Sequence, residues 1–145
     1  MTQDTITASR EAAGVSLVDG NPSVRHARQL MLRSENYDVR SYATCAALLA
    51  DPSSRNYPCI VLDVEMEDVD GFALLAQMRS TGWNGKAILL DGVDLKSDLA
   101  REAHRNGDRI VRRTIGDASL LTAIAASLHV GAVEGHRDDT NGKKL

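Results

Sequence analysis

The sequence predicts an α/β fold, a doubly wound five-stranded parallel sheet with helices on both faces. Short aliphatic runs alternate with longer helical patterns five times along the chain. Such alternation implies parallel strands joined by right-handed crossovers. The aliphatic runs also lack a period of two, as strands buried on both faces do. Length bounds the answer, since 145 residues suit one domain and not two. The folded domain is expected over residues 14–130, between a polar N-terminal extension, 1–13, and a glycine-containing, charged C-terminal tail, 131–145.

Each element follows from local chemistry. Val15-Ser16-Leu17-Val18 is a short apolar strand that stops at Asp19. Pro22 opens a helix with Val24, Ala27, Met31 and Leu32 on one side, and the first turn is where a missing N–H is tolerated. Residues 37–42 read as a weaker, edge-like strand. Thr44 is placed to cap a short Ala/Leu helix that ends near Asp51 and Pro52. Cys59-Ile60-Val61-Leu62 is the most apolar run of the first half and stops at Asp63. A loop over 65–70 leads through Gly71 into a helix beginning at Phe72, and Gly82 and Gly85 bracket its end. Ala87-Ile88-Leu89-Leu90 is another buried strand, ending at Asp91. Residues 94–106 are helical in pattern but mostly polar, with Leu95, Leu99, Ala100 and Ala103 as a thin apolar stripe. Residues 109–112 form the last strand. Residues 117–129 carry Leu120, Leu121, Ile124, Ala125 and Leu128 as an amphipathic helix.

Composition narrows the function classes. Hydrophobic residues at 43% against 26% charged are the balance of a globular protein. No apolar run approaches the roughly 20 residues of a membrane helix, and the first ten residues lack a signal-peptide core. A cytoplasmic location is therefore expected. Seventeen Lys and Arg against 20 Asp and Glu give a net charge of -3, which argues against direct nucleic-acid binding driven by charge. Cys45 and Cys59 form neither a metal pattern nor a disulfide framework, and His26, His104, His129 and His136 lack ligand spacing. One domain's length leaves no expected room for an output module.

Asp19, Asp63 and Asp91 each end a strand, so the architecture gathers them at the carboxyl edge of the sheet, where such folds bind ligands. A single strand-end Asp is ordinary turn chemistry. Three converging carboxylates repel one another and call for a cation or a proton. Mg²⁺ takes one or two carboxylates together with phosphate oxygens, and an Asp carboxylate can itself accept a phosphoryl group.

Two stretches give this cluster a family likeness: Leu62-Asp63-Val-Glu-Met-Glu-Asp-Val-Asp-Gly71-Phe-Ala-Leu-Leu and Leu17-Val18-Asp19-Gly-Asn-Pro-Ser-Val-Arg25. With them the chain, from about Val15 to Leu128, resembles the receiver domain of two-component response regulators, chemotaxis-regulator-like, with the flavodoxin-like (βα)5 fold. The resemblance implies that Asp63 is the phosphoacceptor, that Asp19 reaches Mg²⁺ through water, and that the Glu65 backbone carbonyl joins Asp63 as a metal ligand. It implies a histidine kinase or phosphotransfer protein as donor. It also implies a protein effector, or a second copy in a homodimer, on the face built from residues 94–129. Arg101, Arg105, Arg109, Arg112 and Arg113 make that region basic.

Several positions depart from the family pattern. Gly20 replaces the second acidic residue, a direct Mg²⁺ ligand, with Asn21 beside it a weaker oxygen donor. Glu67 stands where proline is usual. Asp91 stands at the Ser/Thr switch position, where an ionised carboxylate donates no hydrogen bond. Arg113 stands at the Lys position, with Thr114 in place of the proline after it, and Ile110 replaces the aromatic switch residue. Two arrangements fit these changes: an Asp91–Arg113 ion pair that fills the phosphate site, or Asp91 helping to hold a cation. The first is favoured, because the Gly20 and Asp91 changes both act against ordinary phosphorylation.

The expected function is that of a stand-alone, atypical receiver in two-component phosphorelay signalling, not an enzyme, with Asp63 the candidate acceptor. The alternative is a phosphorylation-independent pseudo-receiver acting as a protein-binding module. A small Mg²⁺-dependent phosphohydrolase ranks below both, since Asp63-Val64-Glu65-Met66 puts Glu where that chemistry places an Asp acid. Flavin binding rests on fold analogy alone.

Overall fold

Aliphatic side chains alternate across the two faces of the central strands, and this divides the core in two. The computed structural model describes residues 12–64, 71–91, 101, 103–104 and 106–128. Its elements are β1 (Gly14–Val18), α1 (Pro22–Ser34), β2 (Asp38–Tyr42), α2 (Cys45–Ala50), a 3-10 turn (Pro52–Asn56), β3 (Cys59–Asp63), α3 (Gly71–Ser80), β4 (Lys86–Asp91) and β5 (Arg109–Arg112). A last helix runs over residues 117–128, and residues 101, 103 and 104 are helical. The strands pair in parallel in the order β2-β1-β3-β4-β5. The order in which strands are added therefore reverses between β1 and β3, which leaves a crevice outside their carboxyl ends.

β3 is buried along its whole length. Ile60 and Leu62 pack with Leu48, Leu74, Leu75 and Met78, under α2 and α3. Cys59 and Val61 pack with Leu32, Leu120 and Ile124, under α1 and the last helix. Helices thus cover both faces, as the alternation requires. Burial pushes the Cys59 thiol up to about 12 and raises that of Cys45. Both cysteines are free.

The end signals work as their chemistry predicts. The Asn21 side chain accepts hydrogen bonds from Ser23 N and Val24 N at the start of α1, with Pro22 in the first turn. The Thr44 hydroxyl accepts from Ala47 N and caps α2. The edge strand expected over 37–42 is β2, at one end of the sheet. One element was unexpected, the 3-10 turn after α2. Asp51 caps it by accepting from Ser53 N, with Pro52 next. The helical pattern read over 94–106 falls mostly outside the described residues, as do the loop over 65–70, residues 1–11 and residues 129–145.

Two polar ties close the far end of the sheet. Trp83, 2% exposed, donates its indole N–H to the Tyr57 carbonyl at 2.7 Å. A Cβ on Gly85 would lie 2.2 Å from the Pro58 carbonyl oxygen, so only glycine lets the chain pass from Trp83 into β4. Asp108, with a fully buried side chain, accepts from both Arg79 terminal nitrogens at 3.0 and 2.8 Å and from Ala87 N at 2.9 Å. The Arg79 guanidinium in turn lies 5.1 Å from the Trp83 ring centroid.

Candidate functional site

β1 and β3 deliver the first two carboxylates side by side. Val18 and Leu62 are register partners, so the backbones of Asp19 and Asp63 are separated by roughly one interstrand spacing, about 4.8 Å. Asp19 follows β1, and its N–H donates to the Tyr42 carbonyl, which extends the ladder to β2 by one bond. Asp63 is the last residue of β3. Both are buried, at 1% and 7% exposure.

Each carboxylate has its own arginine. Arg113 Nη2 donates to both Asp63 oxygens, at 2.9 and 3.0 Å. Arg28 Nη1 donates to Asp19 Oδ2 at 3.1 Å, while Asn21 N donates to Oδ1 at 2.9 Å. Arg25, one turn before Arg28 on α1, donates from Nη1 to the Asp19 carbonyl at 2.7 Å. Residues three apart share a helix face, so α1 presents both guanidinium groups to the end of β1. Asp19, Asn21, Arg28, Asp63, Arg113 and Thr114, together with Val24, line a cleft of about 320 Å³. Two acids and two guanidinium groups leave its described lining electrically balanced.

Asp91 ends β4 and accepts the Arg113 N–H on its backbone carbonyl at 2.8 Å. Asp91 was the expected partner of the Arg113 side chain, and the structure shows Arg113 paired with Asp63. β4 lies between β3 and β5, and a guanidinium at the end of an arginine side chain is long enough to cross one strand. Gly20 is exposed and brings no ligand atom beyond its backbone. Glu65, the third expected metal ligand, lies outside the described residues.

Among the described residues the donor set fits Mg²⁺ poorly. A magnesium site needs hard oxygens open to the ion in octahedral geometry. Here all four carboxylate oxygens of Asp19 and Asp63 already accept hydrogen bonds, three of them from guanidinium groups. Among the described residues, no group of three or more His, Cys, Asp or Glu is placed to hold a metal ion.

Arg28 and Arg25 were missed as site residues. Their signal was present, as two arginines at helical spacing that begins six residues after a strand-end aspartate. Helix periodicity alone directs that face to the sheet edge.

A second polar cluster lines the outer edge of β2. The Tyr57 hydroxyl donates to Asp38 Oδ2 and accepts from Arg40 Nε, and the Tyr42 hydroxyl donates to Asp51 Oδ2 at 2.7 Å. Burial, then the hydrogen bond to Asp51, raises the Tyr42 phenol far above its ordinary range. The Tyr42 hydroxyl in turn holds the Asp51 carboxyl below its usual value. Charged and paired side chains of this kind keep an edge strand from pairing with other chains.

Comparison with known proteins gives this geometry a family. The family described as the response regulator receiver domain matches residues 15–125. The transcriptional regulatory protein FixJ of Azorhizobium caulinodans is 28% identical over 139 residues, which are 93% of this chain and 65% of that protein. FixJ of Rhizobium meliloti is 30% identical over 130 residues, 88% of this chain and 63% of that protein. The chain thus spans a little under two thirds of these relatives. Among solved structures, a CheY-like receiver domain protein from Methanospirillum hungatei superposes with a TM-score of 0.69 at 18% identity, over 86% of this chain and 99% of that one. The response regulator TrrA of Thermotoga maritima, solved with Mg²⁺ and beryllofluoride, superposes with a TM-score of 0.65 at 24% identity, over 78% of this chain and 96% of that one. A flavodoxin-like five-stranded fold, a strand-end acidic pair and a match over most of the chain lead to one conclusion: the chain belongs to the response regulator receiver domain family.

Proposed function

We propose that this receiver domain serves two-component signalling as a protein-binding module, held in one state by its own ion pairs and outside the metal-dependent phosphorylation cycle. The observation that carries this reading is that both strand-end carboxylates are neutralised by guanidinium groups of the same chain, Asp63 by Arg113 and Asp19 by Arg28. Phosphorylation of a carboxylate brings a dianionic group against an anionic nucleophile, and a metal normally screens that approach. With Gly20 in place of an acidic ligand and Asp19 already paired, an incoming phosphoryl group meets the Asp63 carboxylate without that screen.

A module fixed in this way acts by docking. The basic stretch near the last strand, with Arg101 and Arg112 exposed, suits an acidic protein partner on the face built from residues 94–129. A cytoplasmic setting accords with the free cysteines. Among the described residues no helix is long and apolar enough to cross a membrane. A second reading keeps Asp63 as a phosphoacceptor supplied by a histidine kinase or phosphotransfer protein, because Asp63 ends β3 and lines the cleft.

Mg²⁺ with beryllofluoride, the combination bound by the Thermotoga relative, separates the two. Amide NMR spectra of this protein are expected to stay unchanged on titration. A saturable new set of resonances from Asp63, Asp91 and Arg113 would contradict the proposal and favour the second reading.

A further inference from the structure

Asp19 and Asp63 are two buried carboxylates on adjacent strands. Like charges at that spacing are strongly unfavourable unless each has a counter-charge, and removing one partner of a buried pair leaves the other uncompensated. Arg113 answers Asp63 from the end of β5. The counter-charge of Asp19 comes from elsewhere, the middle of α1. The Arg28 side chain is only 14% exposed, so its ion pair is weakly screened by solvent. Arg25 ties the same helix face to the Asp19 carbonyl, and Asn21 N fills Asp19 Oδ1. Both Asp19 oxygens therefore already accept hydrogen bonds, and the one on Oδ2 comes from a positive charge.

We propose that Arg28 is the resident counter-ion of this site, a guanidinium built into the first helix that supplies the positive charge a divalent cation would otherwise supply. This deepens the preceding reading and rests on it for the view that the site works without metal. The Arg28 guanidinium, 3.1 Å from Asp19 Oδ2, repels a divalent cation approaching the same carboxylate. Removing the guanidinium takes the ion-pair partner from Asp19 Oδ2 and leaves the described cleft lining with two carboxylates and one arginine. Arg28 therefore decides whether the cleft is self-neutralising or cation-seeking.

The test is thermal unfolding with millimolar MgCl2 against NaCl of equal ionic strength. For the wild-type chain the midpoint is expected to be the same in both salts. Arg28→Ala is expected to unfold at a lower temperature and to recover several degrees in MgCl2 only, through preferential binding to the folded state. Arg28→Ala combined with Asp19→Asn is expected to lose that recovery. A wild-type midpoint raised by MgCl2 as much as the variant's would overturn the proposal, and so would an Arg28→Ala midpoint indifferent to Mg²⁺. Should Arg28→Ala fail to fold, Mn²⁺ titration of the wild-type chain decides. Selective paramagnetic broadening of Asp19 and Asp63 resonances overturns the proposal, and their persistence supports it. The two readings fail separately. Phosphorylation of the wild-type chain without Mg²⁺ contradicts the docking-module reading alone, whereas Mg²⁺ binding by the unphosphorylated wild-type chain contradicts the role of Arg28.

Discussion

Asp108→Ala is expected to destabilise the protein by about 3 kcal/mol, the cost of breaking a buried charge pair from one side. The carboxylate has no exposed surface and holds three donors, two on Arg79 and one on the Ala87 backbone. Its loss leaves the Ala87 N–H buried and unpaired, a cost of about 1–3 kcal/mol by itself. It also strands a half-buried guanidinium that stacks on Trp83. The contact joins α3, β4 and the entry to β5, so the effect is on the whole fold. A fall in midpoint on the order of 12 °C is expected for a domain of this size, read by circular dichroism or calorimetry. A loss under about 1 kcal/mol would mean that water replaces the carboxylate freely.

Asp19→Ala is expected to cost a similar amount, about 3 kcal/mol, and Asp63→Ala less than about 1 kcal/mol. The contrast follows from exposure. Asp19 and Arg28 are both largely buried, with side chains 1% and 14% exposed, and the substitution also removes the acceptor for Asn21 N. Arg113, by comparison, is 40% exposed, so water can solvate it once Asp63 is gone. Removing Asp63 also relieves its repulsion of Asp19. Urea unfolding of the two variants under one set of conditions gives the comparison. Equal losses, or a larger one for Asp63→Ala, would contradict the assignment of Arg28 as the tighter counter-ion.

Much of this fold was legible in the sequence, because its signals are local. Aliphatic runs without a period of two gave the buried strands, and β5 falls on the four residues read for it. Pro22 and Thr44 marked helix starts through chemistry that acts within three residues. The 3-10 turn after α2 escaped because Asp51-Pro52 reads equally well as a helix stop, and the Ser53 N–H that Asp51 accepts makes it a start instead. The site was half legible. Strand ends placed Asp19, Asp63 and Asp91 correctly at one rim, since strand order fixes which ends are neighbours. Side-chain partners depend on reach across strands, which spacing does not encode. The Arg113–Asp63 pair was therefore not among the expected contacts. Arg28 shares a helix face with Arg25 by spacing, but its contact with Asp19, nine residues away at a strand end, is a matter of side-chain reach.

The central claim is that the receiver site is closed by its own arginines. Incubation with Mg²⁺ and acetyl phosphate, followed by intact-mass measurement, tests it most directly. The mass is expected to remain unchanged under conditions that label an ordinary receiver domain run in parallel. The gain of one phosphoryl group, lost again in Asp63→Ala, would contradict it.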